Sequence, residues 1–279
     1  HPAPKTAIIP VAAAHDAVLI IPEVGAAVPT LWNANIFSVA PPASDMGGRA
    51  ARDAFKGKGL KKAAVLHTPG VFGEGIRDSF KKAFEAAGGE VVDTQGLAEN
   101  KPDAWAIAAK RAVTEKGAQA VLLIGPADPA LEVSRTLDAN GMLQAHVWFI
   151  DWAMYPPVLD AAQGANAIQR VHWVNRKRPV GDFATAFEAK YQAKPRYEAG
   201  AGYDAAMLVA NAVENAKSLW FEDIAAALKA TKGFASAFGT GEIVDERGLT
   251  FLDVAGYRIL EPAVDPDSTE GKYLFGEPE

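Results

Sequence analysis

Between residues 60 and 89 the chain passes from an apolar stretch, KKAAVLH, through a small-residue loop, TPGVFGEG, into an amphipathic stretch, IRDSFKKAFEAAGG. In the last of these, Ile76, Phe80, Ala83, Phe84 and Ala87 recur at helical spacing on one face. Arg77, Asp78, Lys81, Lys82 and Glu85 are left for water, so the pattern predicts a helix. Gly88 and Gly89 supply its stop. A strand, loop and helix in this order place the loop at the carboxyl edge of a parallel sheet, where open α/β folds keep their ligands.

The same alternation extends along most of the chain. Helical spacing is read at 6–15, 45–55, 74–87, 104–116 and 130–140, with a shorter helix after Pro157. Strand-length apolar runs are read at 18–21, 63–66, 90–92, 120–124, 147–150 and 168–173, with an extended piece at 36–39. Strands separated by helical patterns of this length call for a parallel sheet covered on both faces, about five strands in one lobe. After NRKRPVGD the chain reads as almost wholly helical from 183 to 229. A glycine-rich stretch at 233–248 follows, then LTFLDVAGYRIL with strand character. These late helices are expected to return to a sheet begun by residues 1–58. The predicted division is therefore 1–58 plus 178–234 for lobe I and 59–177 plus 235–279 for lobe II.

Composition narrows the function. With 279 residues and 49% hydrophobic content, two lobes of modest size are expected. The formal charge is −6 and no basic run is long enough to track phosphates, so nucleic acid is not an expected partner. No apolar run approaches the roughly 18 to 20 residues that cross a bilayer, so the chain is not expected to span one. Cysteine is absent, which removes thiolate nucleophiles, disulfides and thiolate metal sites together. The opening HPAPK carries no charged-then-apolar leader, and His1 reads as a cleavage or cloning remnant rather than a copper clamp.

Catalytic patterns are weak. The loop TPGVFGEG contains GxxGxG but lacks the Gly-Lys-Ser/Thr ending of a phosphate loop and the spacing of the dinucleotide fingerprint. The histidines, His1, His15, His67, His146 and His172, are dispersed, with no HxH or HxxxH pair. There is no GxSxG elbow; Ser79 and Ser134 fall on helical patterns and Ser44 reads as a helix cap. Neither catalytic residues, a metal site nor a cofactor are expected. The informative residues lie just after strands: Phe72 after 63–66, Ala127 and Asp128 after 120–124, and Asp151, Trp152 and Tyr155 after 147–150. Successive parallel strands end on one edge, so these loops should converge there. For the aromatics the plain alternative is packing. An Asp beside aromatics at a strand end suits a small amine or amide with an apolar body.

Four segments carry a resemblance: VLIIPEVGAAVPTLWNANIFSVAPPASDMGGRAARDAF, GLKKAAVLHTPGVFGEGIRDSFKKAFEAAGGEVV, GAQAVLLIGPADPALEVSRTLDANGM and FATAFEAKYQAKPRYEAGAGYDAAMLVANAVENA. In their order and spacing, over 17–260, they resemble the solute-binding proteins of branched-chain amino acid (Leu/Ile/Val-type) ABC transporters, within the type I periplasmic binding protein family. VFGEG and AAGGEVV match that family's Tyr-Gly-Glu-Gly-like turn and its helix ending in Gly-Gly. Tyr203, Asp204 and Ala205 match its late Tyr-Asp-Ala helix start.

The resemblance implies an α/β, two-lobe type I periplasmic-binding-protein fold: parallel sheets flanked by helices around a hinged cleft. It implies ligand capture between the lobes, delivery to ABC permease subunits and a periplasmic setting. For lobe I it implies a loop at Glu23, Val24 and Gly25 that holds the ligand's polar groups, together with Tyr203. For lobe II it implies an aromatic at Phe72, a turn residue at Ala127 and an acidic group at Asp151 beside Trp152. The family's Thr is absent from the first loop, Glu23 stands there, and Phe72 lacks a tyrosine hydroxyl. These departures open the ligand class to aromatic, amide and other small organic compounds. The family also has a further segment of roughly 70 to 80 residues ahead of the matched region, so lobe I is expected to be incomplete at its N-terminus. Residues 1–58 are then expected to supply too few strands for the returning helices, leaving lobe I either the less stable or completed by another chain. The alternative reading is a cytoplasmic ligand sensor of the same fold; an NAD-type α/β enzyme is a third.

Overall fold

The computed structural model describes residues 2–22, 34–39, 41–142, 144–150, 171–246, 249–253, 257–264 and 273–276. In chain order the first elements are α1 (Pro2–Ala14), β1 (Leu19–Ile21), β2 (Ile36–Ser38) and α2 (Asp45–Arg52), which continues into a π-helical turn at Asp53–Gly57. Then follow β3 (Lys62–His67), α3 (Val71–Ala86), β4 (Glu90–Gly96), α4 (Pro102–Lys116), β5 (Ala120–Ile124), α5 (Ala127–Ala139), β6 (His146–Ile150) and β7 (Val171–Arg176). Three helices come next, α6 (Gly181–Tyr191), α7 (Tyr197–Asn215) and α8 (Phe221–Lys229). The strands β8 (Phe234–Ser236), β9 (Gly239–Glu246), β10 (Leu249–Asp253), β11 (Tyr257–Val264) and β12 (Tyr273–Gly276) close the chain. The short helix expected after Pro157 lies outside the described residues.

Two compact units emerge, His1–Ala43 with Arg176–Gly256, and Ser44–Asn175 with Tyr257–Glu279. The second holds a seven-stranded sheet in the order β12-β11-β7-β6-β5-β3-β4. Its stretch from β4 to β7 is parallel throughout, as the alternating pattern predicts; Val65 of β3, for example, pairs with Thr94 on one side and Leu122 on the other. Because helices cover both faces, these strands are continuous apolar runs and β5 is buried along its whole length. Trp105, Leu66, Val121, Leu123, Val133 and Phe149 pack into one core.

The helix α3 shows how local sequence sets this packing. Ile76, Phe80 and Phe84, four apart, are fully buried, and the Phe80 and Phe84 rings stack at 5.2 Å. The two stop glycines serve different needs. Gly88 takes the left-handed φ of 98° that ends the helix, and a Cβ on Gly89 would lie 2.4 Å from the Phe84 ring.

The first unit holds a five-stranded sheet in the order β1-β2-β10-β9-β8. Its core gathers Phe37, Tyr197, Leu208, Leu228, Phe238 and Leu252. This sheet corrects two expectations. The late helices do bring strands with them, since β8, β9 and β10 form antiparallel pairs and β10 joins β2 at Phe251 and Ser38. The expected shortage of strands in this lobe is therefore corrected, with three of the five supplied by 234–253.

The unit boundaries differ from the predicted ones for the same physical reason, that packing partners rather than sequence continuity decide them. Residues 235–256 fall in the first unit through β10, not in the second. Residues 44–58 fall in the second unit, not the first, because α2 lies directly on α3. There a Cβ on Gly47 would come within 2.2 Å of the Ile76 carbonyl oxygen.

Candidate functional site

Parallel strands β3, β5 and β6 end side by side at His67, Ile124 and Ile150. The loop after β3 is fixed to its neighbours by backbone hydrogen bonds: Thr68 N donates to Ile124 O at 2.9 Å, and Leu97 N donates to His67 O at 2.8 Å. The His67 ring continues this lock. The Thr68 carbonyl can only accept, so His67 Nδ1 carries the proton in that 2.9 Å bond, and Nε2 is left to accept from Arg77 at 3.4 Å. Arg77 in turn donates from Nε to Asp78 Oδ1 at 2.7 Å. This hydrogen bond raises the Arg77 pKa and lowers that of Asp78, so the pair stays ionised.

The VFGEG turn has a physical basis residue by residue. Gly70, with φ 107°, precedes the first turn of α3, and its N–H donates to Glu74 Oε1 at 3.2 Å, so the glutamate caps the helix that contains it. Gly73 packs on the preceding strand end, where a Cβ would stand 2.0 Å from the Thr68 carbonyl oxygen. Phe72 is thereby held half-buried on the first turn of α3, at the carboxyl edge. Ala127 opens α5 directly after β5, with Pro126 extended as the residue before it. The structure thus brings Phe72 and Ala127 to the same sheet edge, as the sequence predicts.

Other predicted residues are placed differently. Asp151, Trp152, Glu23, Val24 and Gly25 lie outside the described residues. Tyr203 belongs to the first unit, where it corrects the expected helix start: α7 begins six residues earlier, at Tyr197, and Tyr203 lies in its body. Its ring is exposed and sits 4.8 Å from that of Phe183.

Glu74, His67 and Arg176 take roles at strand and helix ends that the sequence pattern does not announce, and Asp204, read in sequence only as part of the Tyr-Asp-Ala match, takes a structural one. Glu74 and His67 order the Phe72 turn, and Arg176, buried at the end of β7, places its guanidinium 4.5 Å over the Tyr197 ring. Asp204 is fully buried in α7, where Oδ1 accepts from Ala237 N at 2.7 Å and Oδ2 accepts from Ser236 Oγ. Burial pushes its carboxyl above the ordinary range, and these two hydrogen bonds pull it partly back. The signal for Asp204 was present, since it is the one charged residue between 199 and 213.

Two histidines that are dispersed in sequence meet in space. His146 Nδ1 is 2.8 Å from His172 Nε2, and the Trp148 ring stacks on His172 at 4.3 Å. They sit at the starts of β6 and β7, the edge opposite to Phe72. Among the described residues no group of three or more His, Asp or Glu could hold a metal ion, and no helix is long and apolar enough to cross a membrane.

An aromatic on a rigid turn at the end of parallel strands suits recognition of a small molecule. Comparisons agree. No curated protein sequence matches the chain. A solute-binding protein of an ABC transporter from R. palustris, solved in complex with benzoate, has a TM-score of 0.71 at 24% identity over 98% of this chain and 74% of its own. A second from R. palustris, in complex with 4-hydroxybenzoate, gives 0.74 at 21% identity, over 98% and 74%. A leucine-binding protein from Thermotoga maritima gives 0.72 at 20% identity, over 97% and 75%. The profile described as periplasmic binding protein matches residues 3–260, nearly the whole chain. The chain is a member of the periplasmic binding protein family.

Proposed function

We propose that the protein is an extracytoplasmic solute-binding protein, without catalytic activity, that captures a small organic ligand and hands it to the permease of an ABC transporter. The observation that carries this reading is the match to the family over 3–260 together with the Phe72 turn, held rigid at the sheet's carboxyl edge by Gly73, Glu74 and His67. The proposed ligand contacts are Glu23, Val24, Gly25, Phe72, Ala127, Asp151, Trp152 and Tyr203. Phenylalanine at 72 offers a ring face but no hydroxyl, which favours ligands with an apolar or aromatic body. The benzoate and 4-hydroxybenzoate complexes of similar proteins make aromatic carboxylates candidates beside leucine-like amino acids.

A thermal-shift panel of benzoate, 4-hydroxybenzoate, leucine, phenylalanine and aromatic amides tests the reading. A true ligand at about 100 times its dissociation constant should add roughly 2.7 kcal/mol of stability, whereas nicotinamide dinucleotides should add none. Stabilisation by a dinucleotide and by no member of the panel would overturn the proposal. The role of Asp151 is separable. Asp151→Ala should weaken a ligand that carries an ammonium group by more than about 1.5 kcal/mol, and should leave benzoate-type acids unweakened.

A further inference from the structure

We infer that Trp105 is a positioning residue for the ligand site. Its indole ties the β4–α4 loop to the β5–α5 loop, and so sets Ala127, the residue that opens α5, against the Phe72 turn. The inference rests on the reading that the Phe72 and Ala127 loops contact the ligand. Three of the loops at the carboxyl edge follow β3, β4 and β5, and the sheet order there is β5-β3-β4. Loops on adjacent strands are joined by backbone: Thr68 N donates to Ile124 O at 2.9 Å, and Leu97 N donates to His67 O at 2.8 Å. The loops after β4 and β5 are not adjacent. They follow strands two spacings apart, about 10 Å, beyond the reach of a backbone hydrogen bond.

Trp105 closes that gap. It lies in the first turn of α4 and is fully buried. One side of the indole donates from Nε1 to Ala98 O at 3.0 Å, which holds the β4–α4 loop. The outer edge of the ring lies against Gly125, where a Cβ would stand 2.6 Å from Cη2 and 3.0 Å from Cζ2. Gly125 does not take a left-handed φ, so the ring rather than the backbone conformation requires glycine there. A phenylalanine at 105 would lack both the donor and the outer ring atoms. Ala98 is exposed, so without the indole its carbonyl can bond water instead and the loop is released from the ring. Being fully buried, Trp105 acts on a ligand only through the two loops it spans.

Trp105→Phe, Gly125→Ala and the double variant test this. Leu137→Ala serves as the control, since Leu137 belongs to the same core cluster but lies in the last turn of α5, at the opposite edge. In the ligand-free protein, Trp105→Phe should raise amide exchange at Thr68 and Leu97 at least about tenfold relative to Leu122 of β5, and Leu137→Ala should leave that ratio unchanged. With the ligand that the thermal-shift panel identifies, Trp105→Phe should weaken binding about fivefold and Gly125→Ala at least about tenfold. In the double variant the shorter phenyl ring makes room for the new Cβ, so it should bind more tightly than Gly125→Ala alone. Additive losses in the double variant, an unchanged exchange ratio in Trp105→Phe, or an equal loss of affinity in Leu137→Ala would each overturn the inference. A wild type that binds no member of the panel would sink the ligand reading instead, and the exchange ratios would then decide by themselves whether Trp105 ties the loops.

Discussion

Replacing Gly73 by alanine should destabilise the second unit by about 3 kcal/mol, while the same change two residues on, at Gly75, should be neutral or stabilising by about 0.5 to 1 kcal/mol. Both glycines belong to the VFGEG turn and lie within α3, so a rule based on the motif alone would treat them alike. Their surroundings differ. A Cβ on Gly73 would lie 2.0 Å from the Thr68 carbonyl oxygen and 3.1 Å from both its carbonyl carbon and Oγ1, whereas a Cβ on Gly75 meets nothing within 4 Å. The obstruction is backbone, and that backbone cannot swing aside, because Thr68 N is bonded to Ile124 O of the neighbouring strand. Relief would require α3 to lift from the sheet, which would displace Phe72 and loosen the packing of Ile76. Equilibrium denaturation of the two variants gives the comparison directly. Equal effects would show that the turn's glycines answer to something other than this contact. A Gly75→Ala protein that is stable but has lost its ligand would assign that glycine to the binding surface.

Much of this architecture was legible because it is local. Continuous apolar runs such as 120–124 and the four-residue spacing of Ile76, Phe80 and Phe84 each encode their own structure, and β3, α3, β5 and β6 lie where the pattern puts them. What the pattern hid is long-range. The strands β9 and β10 read as a glycine-rich, acidic stretch followed by an apolar one, and nothing in 249–253 announces that Phe251 will pair with Ser38. A strand added to a sheet more than 200 residues away is recorded in no periodicity. The position of α2 was hidden likewise, since a close crossing made by Gly47 leaves only a glycine in the sequence. At the candidate site, Phe72 was legible as the aromatic after a strand, while the groups that hold it, the Glu74 cap and the His67 lock, depend on bonds that sequence spacing does not specify. Tyr203 and Asp204 were read together as a motif, yet one step along a helix turns a side chain by about 100°, so one faces water and the other the core.

Asp204 is the second position where a large effect is expected. Its carboxylate ties α7 to the turn between β8 and β9, accepting from Ala237 N and from Ser236 Oγ, while Ser236 Oγ also accepts from Phe238 N at 3.0 Å. Asp204→Ala removes both bonds to the carboxylate and leaves the buried Ala237 N–H without an acceptor, which should cost about 2 to 3 kcal/mol. Asp204→Asn retains an oxygen for Ala237 N and should be markedly less damaging. The two variants also separate in their response to pH. Because burial raises the carboxyl above its ordinary value, the folded protein holds this proton at pH values where the unfolded chain has released it. The contribution of Asp204 is then complete below the unfolded aspartate value of about 3.9 and declines as pH rises from there through the raised folded value. Asn cannot ionise, so the difference in stability between wild type and Asp204→Asn should shift in favour of Asn across that window and be constant above it. Denaturation curves of the first unit, followed by a probe in α7 or β8 at a series of pH values, measure that difference. A wild type and an Asp204→Asn variant with parallel pH profiles would show that the carboxylate is not held as its burial and two hydrogen bonds require.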